Sequence, residues 1–198
     1  MPEQRPDPGE VAAYADGRWP VVVRTLVLLG APPRHAVALA TEAVGRLFHR
    51  SADDQWLDLD AVLAAEVVDV WEADRTAWWR RADLQVDEDL DGTGVPEALV
   101  LLDVLPPAER ARLVVGAVAG LTSDQLDDVL GPAVSSPLVG AWRDDLARVA
   151  VAIPVGDAHL DEARGLSDGR RRQGRGLAVA GLVAGLVAAT VAVTVAVG

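Results

Sequence analysis

Apolar residues recur at three- and four-residue spacings along most of the chain, and no stretch alternates as a half-buried strand would. Glu10 to Ala15 begins a first helical stretch. Trp19–Leu29 is a stronger one, with Pro20 suited to a first helical turn and Gly30 to the position just past the end. Ala31-Pro32-Pro33 interrupts the pattern. Arg34–Arg50 then places Val37, Ala40, Val44 and Leu47/Phe48 on one helical face. Asp58 or Asp60 can cap a further helix running to about Arg81, whose apolar side holds Val62, Leu63, Val67, Val70 and Trp71. A second set follows at Pro96–Leu105, Pro107–Ala119, Thr122–Leu130 and from about Ser136 to Ala150. The start at Thr122 is closely specified. Thr122 and Gln125 form a capping box, and Leu121 and Leu126 are placed as a hydrophobic staple. Gly120 and Gly131 end the helices on either side, so this block is predicted to be a helix-turn-helix unit.

Between the two sets, residues 82–95 hold Asp83, Asp87, Glu88, Asp89 and Asp91 with no basic residue, which predicts an acidic linker. The run from Asp87 to Gly92 matches the first half of a calcium-binding loop. Its twelfth position is Ala98, so the bidentate carboxylate is missing and no metal is expected. Residues 151–176 form a second linker, with one helical turn around His159–Arg164 and a cluster at Arg170, Arg171, Arg172 and Arg175. Leu177 to Gly198 is uncharged and long enough, at about 1.5 Å per residue, for a hydrocarbon core of about 30 Å. It is expected to be a single transmembrane helix. Arginines directly before it place the N-terminal body in the cytoplasm, at the cytoplasmic membrane. Gly181 and Gly185 inside it form a small-residue pair through which two copies could dimerise.

Charge narrows the function. The chain of 198 residues carries 18 basic and 30 acidic side chains, a net −12, with every basic group an arginine and no cysteine. Residues 1–168 hold 14 of those arginines against all 30 acids, a net −16. Such a body repels nucleic acid at long range. Without cysteine, a disulfide scaffold, a thiolate metal site and a cysteine nucleophile are excluded. No GxSxG, HExxH, P-loop or GxGxxG motif is present, so neither an enzyme nor a cofactor is expected. His35 and His49 lie about 21 Å apart along one helix and cannot share a metal. Both are expected at the surface.

The block Leu105-Pro106-Pro107-Ala108-Glu109-Arg110-Ala111-Arg112-Leu113, followed by Gly120-Leu121-Thr122-Ser123-Asp124-Gln125-Leu126 and Val129-Leu130-Gly131, resembles region four of extracytoplasmic-function sigma factors. Upstream, Arg24-Thr25, Leu28-Leu29-Gly30, Glu42-Ala43 and Leu47-Phe48-His49-Arg50 stand at spacings similar to region two of the same family. The stretch from Asp60 to Trp78-Trp79-Arg80-Arg81 is similar to its promoter-melting helix. The resemblance spans about residues 12–150. It implies an all-α protein of two small helical domains, a region two-like bundle over 10–81 and a region four-like helix-turn-helix over 96–150, completed by the transmembrane helix. It also implies action in transcription initiation or regulation, with RNA polymerase core or another sigma factor as partner and promoter DNA as a further one.

The resemblance carries two sets of candidate residues. Trp78, Trp79, Arg80 and Arg81 can stack bases and hold phosphates, and Arg143 is the basic residue of the expected reading helix. Glu42 is what the chain keeps of the family's acidic polymerase-docking patch. Leu138 and Trp142, four residues apart, share a face for packing or for a partner. Pro137, Leu138, Val139 and Gly140 stand where a DNA reader carries donors. That composition favours the alternative, a sigma-like fold that binds a protein partner as an anti-sigma-like or adaptor module without reading DNA.

Overall fold

The computed structural model describes residues 7–53, 58–75, 97–132 and 142–170. Among them the secondary structure is helical throughout: α1 Pro8–Leu28, α2 Pro33–Asp53, α3 Leu59–Arg75, α4 Glu97–Val104, α5 Pro107–Val118, α6 Ser123–Leu130, α7 Arg143–Ala152 and α8 over 160–170.

Local sequence explains most of the boundaries. Pro8 opens α1, where Glu10 accepts the Asp7 N–H at 3.2 Å. The helix does not begin at Trp19, as Pro20 suggested, but runs straight through it. An interior proline removes one helical hydrogen bond and costs about 3 kcal/mol. Burial of Trp19, Val22, Val23 and Leu26 around it offsets that cost. Gly30, at φ 108°, then turns the chain, and the Ala31 N–H reaches back to the Leu26 carbonyl at 2.9 Å. Pro33 opens α2, while the Pro32 carbonyl accepts the His35 and Ala36 N–H groups, both at 2.8 Å.

α1, α2 and α3 pack in sequence against one another, α5 packs on α1, α6 and α7, and α6 packs on α3. Gly116 on α5 permits the close approach of α6, since a Cβ there would stand 3.0 Å from Leu126 Cδ1. The buried side chains form one continuous cluster. It joins Trp19, Leu26, Val44, Leu47 and Trp71 of the first three helices to Leu113, Leu121, Leu126 and Leu146 of the later ones. Side chains from both helical blocks thus contribute to one buried cluster.

Two further expectations change. Among the described residues no helix is long and apolar enough to cross a membrane, which corrects the expected fold class: what they form is an all-α assembly with no membrane-spanning helix among them. The longest helices, α1 and α2, have 21 residues each, but charged side chains interrupt both, as at Asp16, Arg18 and Arg24 in α1. Residues 177–198, including Gly181 and Gly185, lie outside the described residues. Second, the segment expected as a linker after α7 carries α8, which lies on α2.

Trp71 is 2 % exposed and sits among the largest buried side chains. Trp71→Ala is expected to lower the unfolding free energy by about 3–5 kcal/mol. The exposed neighbouring variant Glu72→Ala should stay within about 0.5 kcal/mol. Chemical denaturation followed by circular dichroism measures both.

Candidate functional site

The helix-turn-helix block is built around α6. Thr122 accepts the Gln125 N–H at 3.3 Å, and Gln125 Oε1 accepts the Thr122 N–H at 2.9 Å, which completes the capping box expected from sequence. The other end of the same amide reaches out of the block. Gln125 Nε2 donates to Asp58 Oδ2 at 2.6 Å, while Asp58 Oδ1 accepts the Asp60 and Ala61 N–H groups at the start of α3. The Gln125 donor, and behind it the two backbone donors, hold the Asp58 carboxyl below the usual carboxylate range.

α7 begins at Arg143; the helix start expected near Ser136 lies outside the described residues. Leu138 lies outside the described residues. Trp142 is half-buried and packs against the core, as a packing residue would. Arg143 is exposed along most of its side chain, and its Nη2 donates to the Leu121 carbonyl at 3.1 Å in the turn before α6. Asp144 and Asp145 follow it in the first turn of α7. Arg148 pairs with Asp145, and Arg112 with Asp127 at 2.7 Å and with the Gly131 carbonyl. Arg112, Arg143 and Arg148 thus all donate to acceptors within the protein. Trp78, Trp79, Arg80 and Arg81 lie outside the described residues.

Glu42, the candidate partner-binding carboxylate on α2, accepts Arg46 Nη2 at 2.6 Å and Arg170 Nη2 of α8 at 3.0 Å. Behind it lies a group that sequence reading did not single out. Glu66 of α3 is 3 % exposed and meets Arg50 Nε at 2.7 Å and Arg46 Nη1 at 3.9 Å. Burial pushes its carboxyl up, against the pull of Arg50 and Arg46. The only cue in the sequence was position: Glu66 falls between Leu63, Val67 and Val70 on the buried side of α3.

A second polar group joins α1 to α3. The Tyr14 hydroxyl donates to Asp60 Oδ1 at 2.7 Å, and Arg18 Nη2 meets the same oxygen at 2.6 Å. Burial, with Asp60 adding to it, raises the Tyr14 hydroxyl pKa, so the phenol stays neutral. These three residues stand at the rim of an apolar cavity of about 20 Å³ that Val22, Leu63 and Val115 help to line. That is room for about one water and far below the ~300 Å³ of a small-molecule pocket. His35 and His49 are half-buried rather than on the surface, and His35 Nε2 meets Asp74 Oδ2 at 2.8 Å. Among the described residues no group of three or more potential ligands could hold a metal.

No protein-family model, no curated protein and no solved structure matches this chain.

The Asp58 junction is testable through pH. A carboxyl whose folded pKa is depressed stabilises the protein above its unfolded value of about 3.9, and that contribution is lost as pH falls through the folded value. Asp58→Asn keeps an N-cap acceptor but has no charge to lose, so its stability should fall less steeply below about pH 4 than that of the wild type. Asp58→Ala should cost about 1 kcal/mol at pH 7. Urea unfolding from pH 3 to 7 distinguishes the three proteins.

Proposed function

We propose that this chain is a sigma-like helical module that acts in transcription regulation through protein contact, with RNA polymerase core or another sigma factor as partner, and without reading DNA bases. The sigma-like part of the reading rests on the sequence motifs around Leu105–Leu113 and Gly120–Gly131. The absence of base reading rests above all on Arg143. A reading helix presents guanidinium groups to guanine edges and phosphates. Here the Arg143 guanidinium faces the Leu121 carbonyl of its own fold, and two aspartates follow it. The pairing of the mostly buried Arg112 with Asp127 and the Gly131 carbonyl and the net −12 of the chain support the same reading. A protein surface suits this charge better than a polyanion does.

Binding of the purified chain to bacterial RNA polymerase core, to an extracytoplasmic-function sigma factor and to promoter duplexes, measured at two salt concentrations, tests the proposal. A stable complex with one of the proteins is expected, with promoter DNA bound no more tightly than random duplex. Arg143→Ala should lower the melting temperature and leave DNA binding unchanged. Sequence-specific duplex binding that disappears in Arg143→Ala would overturn the proposal.

A further inference from the structure

The segment after α7 crosses back to the first two helices. The chain leaves α7 at Ile153, passes Pro154 and Gly156, and forms α8 over 160–170 against α2. Four contacts hold it there. The His159 ring stacks on the buried Trp19 ring, with centroids 5.8 Å apart and planes at 24°. The Arg164 guanidinium lies 5.7 Å over the centre of the Phe48 ring. Arg170 donates to Glu42 at 3.0 Å. Between them, α8 fits a notch on α2 that exists because residue 45 is glycine: a Cβ there would stand 2.9 Å from the Ala163 carbonyl oxygen and 3.3 Å from Leu166 Cβ.

The same helix is poorly made to stand alone. Gly165 lies in its interior and Gly169 in its last described turn, with open space where a Cβ would stand, and glycine disfavours helix relative to alanine. The residues it fully buries are Ala163 and Ser167, both small, while Leu166 is 41 % exposed. The ion pair at its end is partly exposed and therefore weakened by salt. Its fit is also imperfect. Trp19 Nε1 and Arg170 Nη1 are buried with no hydrogen-bond partner among the described residues. Helix formation in α8 and docking on α2 are thus one event: the notch supplies the order that the sequence of α8 lacks.

We propose that α8 is a reversible latch over the α1–α2 face. Docked, it fills the Gly45 notch, covers Trp19 and adds Arg170 to the Arg46 that Glu42 already holds. Undocked, it loses its helix and leaves a notched apolar face beside Glu42, which keeps only its Arg46 partner, while the shared core of α1, α2, α3, α5 and α6 stays intact. The site's occupant is the latch itself, so a separate copy of the latch sequence must be able to take its place. This holds whichever partner the chain has in transcription, or if it has none.

The test uses the full chain with Ala163→Glu, which cannot enter the notch, and a fluorescent synthetic peptide spanning residues 157–172. The peptide should bind Ala163→Glu at least tenfold more tightly than the wild type, whose notch is filled. Adding Gly45→Val should abolish that binding, and raising the salt from 50 to 500 mM should weaken it several-fold. Backbone amides of 160–170 should exchange at least tenfold faster in Ala163→Glu, with α1–α3 unchanged. If Ala163→Glu disturbs α1–α3, Arg170→Glu provides the same comparison with the notch side chain intact. Equal peptide binding to wild type and variant, binding that survives Gly45→Val, or unchanged exchange across 160–170 would overturn the latch.

Discussion

The N-termini of two helices from distant parts of the sequence meet at one carboxylate. Asp58 caps α3 with one oxygen and accepts Gln125 of α6 with the other, while Gln125 closes its own capping box with the opposite end of its amide. Positive helix ends attract negative charge, so a single ionised group serves both dipoles. This exposed junction links the helix-turn-helix block to the first three helices above the buried core that both share. The turn before α6 is held in place with it, and so is the Leu121 carbonyl that takes Arg143. The shared core lies beside it: α5 meets α1, and α6 meets α3.

Much of this was legible in the sequence where local chemistry decides the backbone. Thr122 and Gln125 form the box that their spacing implied, and Leu121 and Leu126 are buried on either side of it. Gly30, Gly120 and Gly131 all adopt positive φ at helix ends. The apolar side of α3 is the one the spacing predicted, with Leu63, Val67, Val70 and Trp71 buried. What local pattern could not supply was tertiary. Pro20 looks like a start because local rules place proline at a first turn, yet packing around Trp19 carries the helix through it. α8 looks like a linker because two glycines depress its propensity, and its helix depends on a notch more than a hundred residues earlier. The direction of Arg143 was equally hidden, since a sequence gives the charge of a side chain but not the acceptor it finds.

Arginine is the only cation in this chain, and that shapes the fold as well as the surface. A guanidinium has several donors in a planar fork and can satisfy two acceptors at once. Arg24 donates to the Val151 and Ile153 carbonyls at the end of α7, where helix carbonyls lack partners and a positive charge is favoured. Arg46 bridges Glu42 and Glu66, and Arg112 bridges Asp127 and the Gly131 carbonyl. These side chains stitch helix to helix, so a large part of the chain's positive charge is structural.

The contacts made by α1 and α2 also order events in time. Arg24 reaches acceptors 127 and 129 residues away, and Glu42 a donor 128 residues away. In a chain made from its N-terminus, α1, α2 and α3 are complete before residues 150–170 exist. The last segments therefore close onto a surface already formed, and the loops they close are long, which slows the step more than it weakens the product. Until the last segment is made, the Gly45 notch therefore has no α8 to fill it.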